Sequence, residues 1–531
     1  MGTLTLQAPA AGTATAASPG RLRSIDPMTL QVLGEVEIRD RDWVARAAER
    51  ARAAQPGWQA LGVRGRNRVL ERARQILLDE MEAFADRVAR ETGRTFNGAL
   101  FADVIATLDL IAWHLRCAER YLRPERLPLR HYRLLGRRSW LISEPLGLVG
   151  VISPWNFPFY IAMQCVVPAL VAGNAVILKP SEITPLVGEM VAELFERAGL
   201  PADVLQVASG DGRTGAAVVE QVDKVFFVGS GPTAKKILAA AATRLTPCVM
   251  ELGGNAPALV LEDADLEHAA RGLVWGAFFH AGQICASVQR IYAAEPIFER
   301  FRDLLVAETR KLRLSEDRRQ ADVGALTCDM QLRHVEQMVE QARREGARVL
   351  VGGRRPPGLK GLFYEPTILT DVQPSHRFCC EEVFGPVVMV MPFASEEQAV
   401  ELANATPYGL HASVWSRDHR RAARLAERIR AGDVSINDHV TMAGLPDGPW
   451  GGVKQSGFGK LGSRYGLYEF VERRHLHLNR FAGIAMPWWF PETAEQLQGL
   501  KAMARALNAG SLRERGRAAL AAVRALWPRL R

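Results

Sequence analysis

The sequence predicts an α/β protein built around two successive, doubly wound parallel sheets. Short runs rich in β-branched residues alternate from Leu146 onward with segments whose apolar residues recur every three or four positions. The alternation occurs twice, and strand–helix alternation favours a parallel sheet covered by helices. The 531 residues, 48% hydrophobic and 24% charged, are enough for two or three domains with large cores.

Three amphipathic helical segments precede the first sheet. They are predicted at Asp40–Gln55, Arg64–Arg94 and Phe101–Leu122, where Arg and Glu separate the apolar positions. The first alternating unit then follows. Its strands are predicted at Gly147–Ile152, Ala175–Leu178, Val204–Val207, Lys224–Val228 and Cys248–Met250, and its helices at Phe159–Val171, Pro185–Ala198, Thr214–Gln221 and Thr233–Ala242.

The second unit begins with a strand at Ala258–Leu261 and a helix at Leu266–Phe279. A strand at Arg290–Ala293, a helix at Glu299–Leu312 and a strand at Val387–Pro392 continue the alternation. We therefore expect a second α/β domain after the first.

Composition excludes several classes of protein. Seven cysteines without paired spacing indicate a reducing compartment and predict neither a disulfide framework nor a metal site. The net charge of +9 is spread over Arg-rich helices without a nucleic-acid module, so we expect no nucleic-acid partner. Residues 1–24 are predicted to be a disordered lead without a signal peptide, and prolines interrupt the apolar region Leu146–Leu178. We therefore predict that the protein is cytoplasmic.

Two glycine-rich segments compete as phosphate-binding loops. Gly210–Gly215 matches G-x-G-x-x-G letter for letter, whereas the segment that starts with Gly229 ends in Ala234. The usual fingerprint also has an acid about 20 residues further on, and only the second segment has one, Glu251. The residues alone leave the choice open.

Cys285 and Glu251 are the strongest candidates for covalent chemistry. Cys285 lies among small residues in the run Phe278–Ser287, where a thiol can attack an electrophile. Glu251 lies in the Gly-rich run Met250–Asn255, where a carboxylate can take a proton from water. His280 is a much weaker candidate for the base, because no group that would orient it can be read nearby.

Three further motifs accompany these two runs in a recognisable order. Together with Pro154–Pro158, Lys179–Glu182 and Glu381–Pro386, they make the chain similar to the NAD(P)-dependent aldehyde dehydrogenase superfamily, of the non-acylating, hydrolytic type. The resemblance runs from about residue 25 to about residue 478.

The resemblance implies a domain organisation. A doubly wound NAD-binding domain would comprise residues 25–126 and 145–253, and an α/β catalytic domain with Cys285 would comprise residues 254–470. Residues 127–144 and 471–485 would form an antiparallel oligomerisation arm. A homodimer or homotetramer is expected.

The same resemblance implies a mechanism. Cys285 would attack an aldehyde, and the side-chain amide of Asn156 with the backbone N–H of Cys285 would stabilise the oxyanion. Hydride transfer would leave a thioester, which water activated by Glu251 would hydrolyse.

NAD is the implied cofactor. Lys179 and Glu182 would hold the adenosine ribose, and Gly229 and Ser230 would hold the pyrophosphate. Glu382 and Phe384 would hold the nicotinamide riboside. The other implied contacts are Ser153, Pro154, Trp155, Ser181 and Leu252. NAD+ is expected over NADP+, because the Glu182 carboxylate would repel a 2′-phosphate.

Two residues depart from the pattern of the family. Ala234 stands where relatives often have Gly, which bears on phosphate binding. Trp450 stands where they often have Phe, at the expected edge of the substrate funnel, which bears on aldehyde preference.

Two rival functions remain open on the same scaffold. A CoA-acylating dehydrogenase would dispense with the water-activating acid, so Glu251 argues against it. A non-catalytic binding protein would not need Cys285, Asn156 and Lys179, which are all present.

The basic amphipathic extension, residues 486–531, lies beyond the resemblance. Leu512, Leu520 and Val523 trace an apolar edge beside several arginines. Packing on a partner subunit and binding at a membrane surface both fit this pattern.

Overall fold

The computed structural model describes residues 20–133, 136–373, 376–481, 486 and 488–526. It contains two compact units. The core unit comprises the chain up to Arg123 together with Ser143–Glu472, and the arm unit comprises Pro124–Ile142 with the chain from Arg473 onward.

The core unit begins with a β-hairpin that the sequence analysis missed. Strand Arg21–Ile25 pairs antiparallel with strand Val32–Glu37, so the prediction of disorder through residue 24 is wrong from Arg21 onward. Contacts with the core hold this hairpin in place: Ser24 is buried, and its hydroxyl donates a hydrogen bond to the Glu91 carboxylate at 2.6 Å. Residues 1–19 of the predicted lead lie outside the described residues.

The helices that follow are divided differently from the prediction. The first, Arg41–Ala60, continues through Pro56, and the predicted helix Arg64–Arg94 is two helices, Gly62–Asp79 and Met81–Thr92. They meet at Glu80, whose backbone leaves the helical region with φ −114° and ψ 22°. No Pro or Gly marks this break in the sequence.

A longer helical stretch comprises Phe96–Ala99, a π-helical segment Leu100–Ile105 and Ala106–Leu122. Among the described residues it is the one stretch that is long and apolar enough to span a membrane by length and composition alone. Half of its most apolar window is buried inside the fold, and core helices pass the same test.

The first sheet confirms the five predicted strands to within two residues at each end. They run parallel, and a sixth, short strand, Gly457–Phe458, joins antiparallel from a range that was predicted as catalytic domain. In spatial order the strands are Gly457–Phe458, Cys248–Leu252, Lys224–Gly229, Leu148–Ile152, Ala175–Lys179 and Leu205–Val207. The helices of this layer are Pro158–Ala172, Pro185–Arg197, Gly212–Gln221 and Gly231–Ala242.

The second sheet has seven strands and confirms the second α/β alternation. All neighbouring strands are parallel except the first pair. In spatial order they are Arg348–Val351, Thr367–Thr370, Val387–Phe393, Val288–Ala294, Ala256–Val260, His411–Trp415 and Asp433–Ile436. The helices of this layer are Leu266–Phe278, Phe298–Thr309, Asp329–Arg344, Arg377–Cys380, Glu396–Asn404 and His419–Ala426. A later helix, Ser463–Tyr468, packs instead on helix Pro158–Ala172 of the first layer.

The arm unit holds a three-stranded sheet and two helices. Strand Arg137–Pro145 lies between Val471–Asn479 and Glu125–Arg126, and it pairs with Glu125–Arg126 in antiparallel register. The sheet therefore begins at Glu125, earlier than predicted, and residues 482–485 of the predicted arm lie outside the described residues. Helices Ala494–Asn508 and Leu512–Leu526 follow.

Candidate active site

Three backbone segments of the core unit converge at one point because two glycines lack side chains. A Cβ on Gly254 would lie 2.3 Å from the carbonyl oxygen of Cys285, and a Cβ on Gly253 would lie 2.2 Å from Oε2 of Glu382. Glu251 is the last residue but one of the strand Cys248–Leu252, which leads into these glycines. The sheet edge thus brings the predicted nucleophile, the predicted base and Glu382 together.

The loop that carries Cys285 is held by Gln283. It follows helix Leu266–Phe278 through a tight turn in which His280 and Ala281 have φ of 52° and 50°. The buried amide of Gln283 donates to the carbonyl of His280 at 3.1 Å and accepts from the N–H of Thr327 at 2.9 Å. The sequence analysis did not single out Gln283, although its position two residues before Cys285 could have indicated a role in holding the cysteine loop.

Cys285 is a half-buried thiol whose pKa is raised well above the usual range. Burial is the largest cause, followed by the negative charges of Glu251 and Glu382 and a hydrogen bond with Glu251. The backbone N–H of Ala286 acts in the opposite direction. The protein without cofactor therefore holds a neutral thiol, and nothing in its pocket favours the thiolate strongly.

Glu251 is buried against this thiol and against Trp450. Burial raises the pKa of Glu251 to about 7, and the hydrogen bonds from Trp450 and Cys285 limit the rise. The indole N–H of Trp450 donates to Oε1 of Glu251 at 3.2 Å, and both side chains are buried. A pKa near neutrality suits a general base. Trp450, which was predicted at the edge of a substrate funnel, thus contacts the Glu251 carboxyl group directly.

Glu382 accepts a hydrogen bond from the N–H of Gly254 at 2.9 Å. Burial and the nearby charge of Glu251 raise the pKa of Glu382 to about 8. Two carboxyl groups in one buried pocket disfavour each other's ionisation. At neutral pH the pocket therefore tends to carry less than two negative charges.

Asn156 lies beside the cysteine loop, as predicted for an oxyanion donor. Its buried side-chain amide donates to the carbonyl of Gln283 at 3.0 Å. The backbone carbonyl of Asn156 accepts a hydrogen bond from the guanidinium of Arg94, which forms a fully buried ion pair with Asp103. Because Asp103 also accepts from the N–H of Tyr160 at 3.0 Å, the pair fixes both ends of the Asn156 segment. The sequence analysis did not single out Arg94 or Asp103.

His280 does not serve the thiol as a base. Its ring is buried and stands edge-on to Phe157, with 5.4 Å between centroids. Burial and the charge of Arg94 lower the pKa of His280 well below its usual range, so it stays neutral.

The two candidate phosphate loops differ at the helix that each one starts. Asp211 caps the N-terminus of the first helix, Gly212–Gln221. Its carboxylate accepts a hydrogen bond from the backbone N–H of Arg213 at 2.8 Å. Ser230 leaves the backbone N–H groups of the second helix uncapped by its side chain. A helix N-terminus attracts anions, and a carboxylate already present opposes a phosphate. The geometry favours Gly229 and Ser230.

Ala234 does not disturb this end of the helix. Its side chain is buried in the core beneath the helix, together with Met250 and Leu252.

The ribose candidates form an ion pair at the end of their strand. Nζ of the buried Lys179 donates to Oε2 of the half-buried Glu182 at 3.0 Å. Ser181 is buried, and its hydroxyl accepts from the N–H of Ile183 at 3.2 Å. The hydroxyl of buried Ser153 has no hydrogen-bond partner among the described residues. An unpaired buried hydroxyl and an exposed helix end fit a dinucleotide.

The remaining predicted contacts meet across two loops. The half-buried Trp155 stands edge-on to Phe384, with 5.3 Å between ring centroids. Pro154 precedes Trp155 on the same loop and is half-buried, and Leu252 is buried at the end of its strand. Across the ranges that the structure describes, no group of three or more His, Cys, Asp and Glu side chains could hold a metal ion.

Two mostly parallel sheets with a thiol and a carboxyl group in one buried pocket define an α/β protein equipped for covalent catalysis. The aldehyde dehydrogenase family model matches residues 14–476, and the chain belongs to this family. It is 34% identical over 481 residues to a 4,4'-diapolycopene aldehyde oxidase of Methylomonas sp., which covers 90% of both chains. It is 36% identical to a betaine aldehyde dehydrogenase of Bacillus subtilis, over 86% of this chain and 94% of the relative.

Solved structures agree with this assignment. A point mutant of betaine aldehyde dehydrogenase from Staphylococcus aureus in complex with NAD+ superposes with a TM-score of 0.83 at 32% identity. The match covers 90% of this chain and 97% of that one. The protein is therefore an aldehyde dehydrogenase, and its family uses NAD(P).

Trp450→Phe tests the hydrogen bond to Glu251. The change keeps an aromatic ring but removes the N–H that stabilises the carboxylate, so the pKa of Glu251 rises. Because the base acts deprotonated, the rise of kcat with pH moves upward by about one pH unit. The pH profile of aldehyde oxidation measures this shift.

Trp113→Phe is the matched control, because the indole of Trp113 also donates to a carboxylate, Asp447, at 2.8 Å. We expect its profile to coincide with that of the wild type. Coincident profiles for Trp450→Phe and the wild type would show that the bond does not control the base.

Proposed function

We propose that the protein oxidises an aldehyde to the carboxylic acid with NAD+, through a thiohemiacetal and then a thioester on Cys285. The observation that carries the proposal is that Cys285 and Glu251 share one buried pocket, where burial raises the pKa of Glu251 to about 7. Hydrolysis of a thioester on Cys285 needs a base beside it that can be ionised near neutral pH, and Glu251 meets both conditions.

In the first step the Sγ–C bond forms while the aldehyde C=O becomes an oxyanion. Because the pKa of Cys285 is raised in this pocket, the thiol must lose its proton to solvent before it attacks, and the positive charge of a bound nicotinamide ring would favour the thiolate. Glu251 stays ionised for the later step. The backbone N–H of Cys285 and the amide of Asn156 stabilise the oxyanion, and Asn156 gives up its bond to Gln283 to do so. Losing one such donor typically costs about 3 kcal/mol of barrier.

In the second half of the reaction Glu251 activates water. The ionised carboxylate takes a proton from water, the water oxygen attacks the thioester, and the Sγ–C bond breaks to release the acid. Trp450 keeps the carboxylate oriented throughout, because its N–H bonds to Oε1.

The chain offers binding groups for the whole of the dinucleotide. Lys179 and Glu182 would bind the adenosine ribose, while Ser230 and the helix end after Gly229 would bind the pyrophosphate. Glu382 would bind the nicotinamide ribose. When bound, NAD+ accepts the hydride that the thiohemiacetal carbon loses. The implied contacts Ser153, Pro154, Trp155, Ser181, Leu252 and Phe384 belong to the same proposal.

The rival functions have less support. A CoA-acylating enzyme has no need of a buried, Trp-held carboxyl group beside its thiol. A non-catalytic protein would have no reason to keep Asn156 fixed by a buried ion pair. We also propose the predicted division into a cofactor domain, a catalytic domain and an oligomerisation arm, with the boundaries as the structure corrects them, together with a cytoplasmic location and a homodimer or homotetramer built through the arm unit.

Glu251→Gln tests the order of steps. The amide keeps the shape of the side chain but cannot accept a proton from water, so the thioester should accumulate. We expect a burst of about one NADH per active site, followed by a slow steady state, in rapid-mixing fluorescence.

Cys285→Ser is the control and should show neither burst nor turnover. If Glu251→Gln shows no burst because hydride transfer is slow, Glu251 serves the thiol instead of the water. A wild-type enzyme that turns over only with CoA or phosphate would overturn the hydrolytic proposal.

Glu182→Gln tests the choice of cofactor. At about 4 Å a carboxylate and a 2′-phosphate repel each other by about 1 kcal/mol in water-like surroundings and about 4 kcal/mol at an effective dielectric near 20. The wild type should therefore prefer NAD+ by about tenfold or more in kcat/KM, and the variant should lose most of that preference. The exposed Glu196→Gln, on the following helix, should leave the ratio unchanged. Equal kcat/KM for both cofactors in the wild type would refute the argument.

A further inference from the structure

We propose that the C-terminal hairpin, helices Ala494–Asn508 and Leu512–Leu526, binds the surface of an anionic lipid membrane. The proposal concerns the arm unit alone and does not depend on the reaction at Cys285. It rests on what the hairpin buries, on what it leaves exposed and on the charges beside the exposed side chains.

The hairpin packs through one face of its last helix. A Cβ on Gly499 would lie 2.5 Å from a methyl carbon of Leu526, so the two helices are in close contact there. Ala522 and Leu526 are the buried residues of the last helix. The first helix begins with a capping box between Thr493 and Gln496, which fixes where it starts.

A second apolar face of the last helix is left in solvent. Leu512 is 86% exposed, and Leu520 and Val523 are each 59% exposed. Their spacing, with Gly516 and Ala519 between them, places these residues along one side of the helix. This stripe does not overlap the face formed by Ala522 and Leu526.

A row of arginines borders the exposed stripe. Arg513, Arg517 and Arg524 recur at helical spacing and are all exposed. Among the described residues none of the three forms an ion pair, and the hairpin contains only two acids, Glu495 and Glu514. An apolar stripe edged by cations is the pattern of a helix that lies in a membrane interface.

Exposed aromatic side chains lie at one end of the same hairpin. Trp488 is 38% exposed and Phe490 is 87% exposed, shortly before the first helix. Gly499, near the start of the first helix, meets Leu526, at the end of the last, so the aromatic segment and Val523 lie toward the same end. Aromatic rings of this kind favour the boundary between lipid tails and headgroups.

Charge distinguishes the lipid surface from a second copy of the chain. In a two-fold symmetric contact in which the two stripes run antiparallel, the arginine rows of both copies would lie on the same side of the interface and repel each other. Anionic headgroups instead complement the charge of the row.

Vesicle co-sedimentation of the full-length chain tests the proposal. The probes are vesicles of phosphatidylcholine alone and vesicles of equal parts phosphatidylcholine and phosphatidylserine. We expect binding to the second kind only, and weaker binding as salt rises, because salt screens the arginines.

Three variants separate the contributions. Leu512→Ser/Leu520→Ser/Val523→Ser removes the stripe, and Arg513→Gln/Arg517→Gln/Arg524→Gln removes the charge row; each should weaken binding by about tenfold or more. Leu245→Ser, at an 89% exposed position of the core unit, is the control and should bind as the wild type does. Oxidation of a short soluble aldehyde should be equal in all four proteins and shows that the variants fold.

Two outcomes would overturn the proposal. One is absence of salt-sensitive binding to the anionic vesicles by the wild type. The other is a stripe variant that binds vesicles normally but has a smaller assembly by light scattering, which would assign the stripe to contact with a second copy.

Discussion

The close approach of the Gly253–Gly254 corner to the cysteine loop is the constraint on which the site depends. With any side chain at Gly254, a Cβ 2.3 Å from the Cys285 carbonyl would force the two segments apart. The carboxyl of Glu251 would then no longer meet the thiol. The corner follows directly from the last parallel strand of the first sheet, and the loop follows a helix of the second alternation, so the architecture delivers both to one place.

The same close approach also buries three acidic groups together, and hydrogen-bond donors in the pocket partly offset the resulting rise in their pKa values. Burial raises the pKa of Glu251, Glu382 and the Cys285 thiol; the charge of Glu251 raises the pKa of the other two further, and the charge of Glu382 raises that of Cys285. The indole N–H of Trp450 and the thiol of Cys285 both hydrogen-bond to Glu251 and limit the rise of its pKa to about 7. Phe at this position would supply the ring without the N–H.

Local patterns in the sequence predicted much of this structure. Runs of β-branched residues located the strands of the first sheet, and the Cys285 and Glu251 motifs located the pocket. What the sequence could not show are partners far along the chain: Trp450 on Glu251, Arg94 with Asp103 beneath Asn156, and the pairing of Gly457 with Glu251. The break at Glu80 has no local marker either. The glycine motifs alone could not decide between the two candidate phosphate loops, because the hydrogen bond by which Asp211 caps the first helix is visible only in the structure.

The most direct test of the account is to find the acyl group on the enzyme. Wild-type protein mixed with NAD+ and a short aldehyde is quenched in acid within the first turnover, digested and analysed by peptide mass spectrometry. The account predicts an added acyl mass on the peptide that contains Cys285 and on no peptide with another cysteine. An acyl group at a different residue, or NADH formed in that first turnover without any covalent adduct, would contradict it.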